Sequence, residues 1–122
     1  MANPFCHVEL HSDDPEASKK FYGDLFDWEY EEMPMGDMKY TMIKTGEKTI
    51  GGIMKNQAPS GTPSHWLSNI LVDDVGDTTK KAKDLGADIL QDVMPVPGNG
   101  KFSIVKDPAG AVIGFWQPDK KN

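Results

Sequence analysis

The sequence repeats itself once, at a spacing of about 60 residues. SDDPEASKKFYGDLF at 12–26 aligns with VDDVGDTTKKAKDLG at 72–86, and YTMIK at 40–44 aligns with FSIVK at 102–106. A period this long that occurs only twice is not typical of a stacked-repeat solenoid. The repeat therefore predicts a duplicated half-domain.

Each copy carries the same order of local structure signals. An alternating strand at 5–11 leads into a helix that Asp14 caps and Pro15 begins, and a strand at 65–72 leads into a helix that stops at Gly86. Turn signals then separate three strand-like segments in each copy. These segments are 28–34, 38–45, 48–55, 88–94, 101–106 and 111–117. The sequence thus predicts an α+β fold of two β-α-β-β-β modules.

Each predicted helix has an apolar stripe that we expect to be buried against a sheet. In the first helix this stripe consists of Ala17, Phe21 and Leu25. In the second helix the residues expected to face inward are Val75, Ala82 and Leu85.

The two modules are predicted to form a single domain over 1–122. Module one covers about 5–55 and module two about 65–118, and the Pro, Ser and Gly-rich segment NQAPSGTPS at 56–64 links them. A helix covers one face of its sheet, so the other face must be buried by the second module or by a partner chain. Two curved sheets that face each other would form a cleft, and we expect the binding site there.

Charge and composition exclude several classes of partner. The chain has 19 acidic and 13 basic residues, a net charge of −6, which argues against a nucleic acid or an anionic membrane. All basic residues are lysines, and without the planar fork of arginine a neutral or cationic small molecule is a better ligand than a highly anionic one. The single cysteine, Cys6, excludes an intramolecular disulfide. No apolar segment approaches the roughly 20 residues of a membrane helix, and the N-terminus has no leader pattern, so a cytoplasmic protein is expected.

The first strand, FCHVELHS, alternates polar and apolar residues, so His7, Glu9 and His11 should share one face. These donors could hold a metal or form a hydrogen-bonded polar face, with His11 at the solvent-exposed end. Burial would raise the pKa of Glu9 and make it a candidate general base, with His7 as a second candidate catalytic residue. The alternative is an ionised Glu9 that accepts hydrogen bonds from the histidines or water.

The duplicated β-α-β-β-β order, with FYGDLFDW at 21–28 and DPAGAVIGFWQP at 107–118, resembles the vicinal oxygen chelate superfamily. This superfamily comprises the glyoxalases, bleomycin-resistance proteins and extradiol dioxygenases. The resemblance covers about residues 5–118. It implies the fold of this superfamily and a homodimer, in which the two modules pair either within one chain or between the two chains. It does not imply one reaction, because the fold hosts isomerases, epimerases, dioxygenases and drug-binding proteins.

The resemblance also implies where metal ligands would lie. In metal-dependent members, four ligands come from the first and last strands of both modules. His7 matches the first position, whereas the other three fall on Leu67, Gly52 and Gly114, whose side chains cannot coordinate a metal. Because a transition metal ordinarily needs three or four protein donors, we predict no metal cofactor. A displaced divalent metal site that combines His7 with Glu9 or His65 is the alternative.

The predicted ligand-binding residues include Asn69, the counterpart of Glu9, and Trp116, an aromatic wall. The full set is His7, Glu9, His11, Gly52, Met54, His65, Asn69, Phe102, Gly114 and Trp116. The predicted function is metal-independent binding of a small organic molecule. One alternative is a lyase, isomerase or dioxygenase that uses a displaced metal, or Glu9 and His7 as base and acid. Another is a module that acts through protein contacts.

Overall fold

The computed structural model describes residues 2–35, 38–58 and 61–119. The elements in chain order are β1 (Phe5–Ser12), α1 (Pro15–Leu25), β2 (Glu29–Met35), β3 (Met38–Thr45), β4 (Lys48–Lys55), β5 (His65–Leu71), α2 (Val75–Asp84), β6 (Asp88–Val96), β7 (Gly100–Lys106) and β8 (Val112–Pro118). This order confirms two successive β-α-β-β-β modules. Two positions of the predicted linker, 59 and 60, lie outside the described residues.

The chain divides into two compact units. The first unit is His7–Leu67, and the second unit is Ser68–Asn122 together with Met1–Cys6. The N-terminal segment belongs to the second unit because the backbone N–H of Leu71 donates to the carbonyl of Pro4 at 2.9 Å.

The two units have the same strand arrangement. Strands follow the order β2-β3-β4-β1 in the first unit and β6-β7-β8-β5 in the second, and in each the module's first and last strands are parallel neighbours. Glu9 is in register with Gly52, and Asn69 is in register with Gly114. The sequence repeat is therefore a structural repeat that places these two pairs at equivalent positions.

Both helices begin with an aspartate cap. Asp14 accepts a hydrogen bond from the backbone N–H of Ala17 at 3.1 Å, and Pro15 is the first helical residue, as predicted. Asp74 caps α2 in the same way. Gly86 has a φ of 106°, a left-handed conformation that glycine adopts without strain, and it follows the end of α2 as predicted.

The apolar stripe predicted for α1 is not buried. The exposed fractions of Phe21 and Leu25 are 59% and 58%, and Ala17 is exposed as well. The helix instead turns Ser18 and Tyr22 toward the sheet, one position along from the predicted stripe. Ser18 forms a 2.7 Å hydrogen bond with Ser12 of β1, and Tyr22 packs against the core. The hydrogen bond between Ser18 and Ser12 and the packing of Tyr22 thus decide which side of α1 faces the sheet.

The inward face of α2 is predicted correctly at one end only. Val75 is buried and Ala82 is half-buried, but Leu85 is 71% exposed because the helix has ended at Asp84. Thr79 is also buried, and its hydroxyl forms a 2.7 Å hydrogen bond with that of Ser103 in β7.

Each helix covers one face of the sheet in its own unit. In the first unit the covered face carries the buried core residues Leu10, Ile43 and Ile53. Because side chains alternate along a strand, the other face carries the polar residues of β1. We call this second face the helix-distal face. In the first unit it is formed by His7, Glu9, His11, Tyr40, Gly52 and Met54, and in the second unit by Asn69, Phe102, Gly114 and Trp116.

Candidate functional site

Glu9 is the centre of a hydrogen-bonded group on the helix-distal face of the first unit. Its carboxylate accepts hydrogen bonds from His7 Nε2 at 3.2 Å, His11 Nε2 at 3.1 Å and Tyr40 Oη at 3.0 Å. The Glu9 side chain is 16% exposed. These four residues, the Glu9 cluster, satisfy both carboxylate oxygens with protein donors.

The pKa of Glu9 is low, which reverses one expectation from the sequence. Burial by itself would raise this pKa, but hydrogen bonds from His11 and His7 and the charges of the two rings lower it to about 2. The predicted raised pKa is therefore wrong, and the alternative, an ionised and hydrogen-bonded Glu9, is confirmed. A carboxylate with so low a pKa is a weak proton acceptor near neutral pH.

Tyr40 is the hydroxyl donor of the cluster. Burial raises the pKa of its phenol above the ordinary value, and the charge of Glu9 and the hydrogen bond to it raise that pKa further. The phenol therefore remains protonated and donates to the carboxylate. Sequence reasoning did not assign this role, although Tyr40 aligns with Phe102 in the repeat and the two differ by a hydroxyl group.

Gly52 provides the space that Tyr40 occupies. A Cβ atom added to Gly52 would lie 2.0 Å from Tyr40 Oη and 2.2 Å from Cζ. A side chain at position 52 is thus incompatible with the observed position of Tyr40. The phenol fills the place where the family resemblance implies a metal ligand from the last strand of module one.

The remaining histidine lies beside His11. The rings of His65 and His11 are 5.2 Å apart between centroids, and His65 Nδ1 donates to the carbonyl of Pro63 at 2.8 Å. His11 is buried, in register with the buried Met54, so the expected exposure of His11 is wrong. The strand continues to Ser12, so His11 lies within the sheet.

In the second unit, the predicted residues also share the helix-distal face. Asn69 is 2% exposed, and its Nδ2 atom has no hydrogen-bond partner within the described part of the chain. Phe102 is opposite Trp116 in the β7–β8 ladder, and both are half-buried. Asn69, Gly114, Phe102 and Trp116 therefore lie on one face of their sheet, as Glu9, Gly52 and Tyr40 do in the first unit.

The donor set does not fit the four-ligand metal site of the superfamily. Leu67 is a buried apolar residue, the space at Gly52 is taken by Tyr40, and Gly114 has no side chain. Both oxygens of Glu9 already accept hydrogen bonds from histidines. Over residues 2–35, 38–58 and 61–119, no group of three or more His, Cys, Asp or Glu side chains is placed to hold a metal ion.

Comparison with known proteins identifies the family. The sequence-family model of the Glyoxalase/Bleomycin resistance protein/Dioxygenase superfamily matches residues 5–115. The chain therefore belongs to this superfamily. Among the described residues, no helix is long and apolar enough to cross a membrane.

Curated relatives are longer than this chain. A protein of Mycobacterium tuberculosis (strain CDC 1551 / Oshkosh) named "Putative glyoxylase CFP32" is 33% identical over 117 residues, which are 93% of this chain and 45% of that protein. The "Anthracycline biosynthesis protein DnrV" of Streptomyces peucetius is 27% identical over 123 residues, 89% of this chain and 45% of that protein. The chain thus spans about half the length of these relatives.

Solved structures share the fold. The hypothetical protein BH1468 from Bacillus halodurans C-125 has a TM-score of 0.69 at 14% identity, over 100% of this chain and 99% of that one. Methylmalonyl-CoA epimerase from Mycobacterium tuberculosis has a TM-score of 0.68 at 14% identity, over 95% of this chain and 88% of that one. At this identity the likeness establishes the fold alone.

Proposed function

We propose that this superfamily member binds a small, neutral or cationic organic molecule on its helix-distal faces, without the metal quartet of its metal-dependent relatives. The observation that carries the proposal is the Glu9 cluster. It places an ionised carboxylate on this face, held by His7, His11 and Tyr40, where the superfamily resemblance implies a metal site.

The chemistry of Glu9 favours binding over catalysis. A general base works best when its pKa is near the operating pH, and the pKa of Glu9 is about 2. Both of its oxygens are engaged by donors on its own unit. Such a carboxylate is suited to fixing the rings of His7 and His11 and to setting a negative potential. The catalytic roles predicted for Glu9 and His7 are therefore not part of the proposal.

The charge of the ligand follows from the same residues. The carboxylate of Glu9 repels an anion, the net charge of −6 adds to this repulsion, and the chain has no arginine to bind a phosphate or carboxylate bidentately. Methylmalonyl-CoA is present in one solved structure of similar fold, but at 14% identity that ligand is not transferred to this chain.

The test compares three ligands of one shape and different charge: benzamidine, benzamide and benzoate. Binding is measured by chemical-shift titration of ¹⁵N-labelled protein at pH 7. We expect benzoate to bind at least about tenfold more weakly than the other two, because an uncompensated like charge in a partly buried site costs at least 1.4 kcal/mol, or about a factor of ten. In Glu9→Gln most of this discrimination should be lost, because the remaining negative charges of the chain lie elsewhere.

Glu47→Gln is the matched control, since Glu47 is exposed in the turn between β3 and β4. This variant removes the same charge from the chain but should keep the discrimination. Equal binding of all three ligands to the unmodified protein, or loss of discrimination in both variants, would contradict the proposal.

The metal-free part of the proposal has its own test. Protein purified without a tag and without chelators is analysed for transition metals, together with His7→Ala and with Lys48→Ala, an exposed control. We expect far less than one metal ion per chain in all three. One Ni, Zn, Fe or Mn per chain that is lost only in His7→Ala would instead establish the displaced-metal enzyme.

We further propose a homodimer, which membership of the superfamily supports. Light scattering of the purified protein should give twice the chain mass of 13.5 kDa. A monomer at all accessible concentrations would contradict it. The cytoplasmic location and the absence of a nucleic-acid partner stay predictions from charge and composition.

A further inference from the structure

The amide of Asn69 is a buried hydrogen-bond donor that has no partner in the part of the chain that the structure describes. Its side chain lies on the helix-distal face of the second unit, and Nδ2 is enclosed but makes no hydrogen bond within the described residues. Buried polar groups in native proteins are nearly always paired, since an unpaired donor has lost its hydrogen bonds to water and gained none. The atom thus points to an acceptor that residues 2–35, 38–58 and 61–119 do not supply.

The first unit shows what the equivalent position looks like when it is satisfied. Glu9 is in register with Gly52, and Tyr40 lies over that glycine with its hydroxyl on the carboxylate. Asn69 is in register with Gly114 in the same parallel arrangement, but the counterpart of Tyr40 is Phe102.

Phenylalanine has no hydroxyl group, so Phe102 cannot supply the oxygen that Tyr40 supplies in the first unit. Two aromatic residues share this face of the sheet with Asn69. Phe102 and Trp116 face each other across β7 and β8, and the Trp116 ring lies against Gly100, where an added Cβ atom would be 2.9 Å from Cζ2. They add apolar aromatic side chains to the face that carries the amide donor.

We propose that Asn69 is a ligand-binding residue whose Nδ2 donates to the carbonyl oxygen of a planar, largely apolar molecule. A neutral amide donor suits a neutral acceptor, and an aromatic ring or fused ring system fits against Phe102 and Trp116. The ligand oxygen then takes the role in the second unit that the Tyr40 hydroxyl has in the first. This inference rests on the proposed small-molecule function and names the chemical class of the ligand.

The experiment uses 1-indanone and indane, which have the same ring system and differ in the carbonyl group. Both are titrated into the ¹⁵N-labelled full chain, and the side-chain amide signal of Asn69 is assigned by its loss in Asn69→Leu. We expect 1-indanone to bind at least about tenfold more tightly than indane and to shift the Asn69 amide signal, as one hydrogen bond gained by an unpaired donor implies. Indane should leave that signal in place.

Two variants separate the amide from the apolar surface. In Asn69→Leu, which replaces an unpaired polar group by an apolar one of similar size, the preference for 1-indanone should vanish while indane binding is kept. In Phe102→Tyr, a hydroxyl placed as in Tyr40 should occupy the ligand oxygen's position and weaken 1-indanone binding at least about tenfold. Asn99→Ala, at an exposed position of the same unit, is the control and should bind as the unmodified chain does.

Several results would overturn the inference. They are equal binding of the two ligands, no binding of 1-indanone up to its solubility limit, a preference that persists in Asn69→Leu, and a long-lived water on the Asn69 amide that saturating 1-indanone does not displace. If any of these occurs while benzoate is still discriminated through Glu9, the inference about Asn69 fails and the proposed function stands. If discrimination by charge is lost as well, both fail.

Discussion

Replacing Tyr40 by phenylalanine removes one hydrogen bond to a buried carboxylate and little else. The Tyr40 hydroxyl donates to Glu9 Oε2 at 3.0 Å, and Glu9 is ionised at neutral pH because its pKa is about 2. A hydrogen bond to a charged group contributes about 1.5 to 3 kcal/mol to stability, compared with about 1 kcal/mol for one between neutral groups. We therefore expect Tyr40→Phe to lower the free energy of unfolding by about 2 kcal/mol.

The same unit offers a matched control. The Tyr30 hydroxyl is half-buried and donates to the backbone carbonyl of Lys19 at 3.0 Å, which is a neutral acceptor. Tyr30→Phe removes an identical group from an otherwise similar contact and should cost about 1 kcal/mol. The difference between the two variants isolates the contribution of the charge on Glu9.

Urea unfolding at pH 7 measures both costs. With a slope of about 2 kcal/mol per M, typical for a small domain, Tyr40→Phe should lower the midpoint by about 1 M. In a Glu9→Gln background the same substitution should cost less, with a coupling energy of about 1 kcal/mol. A cost no larger than that of Tyr30→Phe, together with no coupling to Glu9, would refute the reasoning about the Glu9 cluster.

Three further predictions concern pH, packing and capping. The lowered pKa of Glu9 contributes about 3 kcal/mol to the free energy of unfolding; this contribution is complete above pH 4.5 and is lost as the pH falls from there through about 2. Acid unfolding of Glu9→Gln should lack this pH-dependent loss of stability. An acid unfolding profile that is the same in Glu9→Gln and in the unmodified chain would contradict the prediction. Gly52→Ala should destabilise the chain by about 1 to 3 kcal/mol, because the added Cβ atom overlaps Tyr40. In urea unfolding, the cost of Gly52→Ala should be smaller in a Tyr40→Leu background. Equal costs in the two backgrounds would disprove the overlap. Asp14→Ala should lower the free energy of unfolding by about 1 kcal/mol, because it removes the N-cap of α1. Asp24→Ala, at an exposed position of the same helix, is the control. Equal urea midpoints for the two variants would show that the cap contributes nothing.

The order of the elements could be predicted because its signals are local. Alternation in FCHVELHS indicates a strand that runs from Phe5 to Ser12, and an aspartate followed by Pro15 marks the start of α1. The repeat then extends each local inference to the second module. Membership of the superfamily follows from that order, as the family match over residues 5–115 confirms.

The rotation of α1 could not be predicted, because it depends on a partner in another element. Phe21 and Leu25 have the spacing of a buried stripe, yet the contacts of Ser18 with Ser12 and of Tyr22 with the core turn them outward. Apolar spacing defines a stripe on a helix, but the packing of the sheet surface decides which stripe is buried.

At the candidate site, the sequence by itself determined which side chains share a face. Strand alternation placed His7, Glu9 and His11 together, and the repeat showed that the expected metal ligands are missing at Gly52 and Gly114. Only the tertiary structure decided what these residues do. Tyr40 lies over Gly52 and donates to Glu9, which turns the expected rise in pKa into a fall, because the pKa of a buried group depends on its donors as well as on its burial.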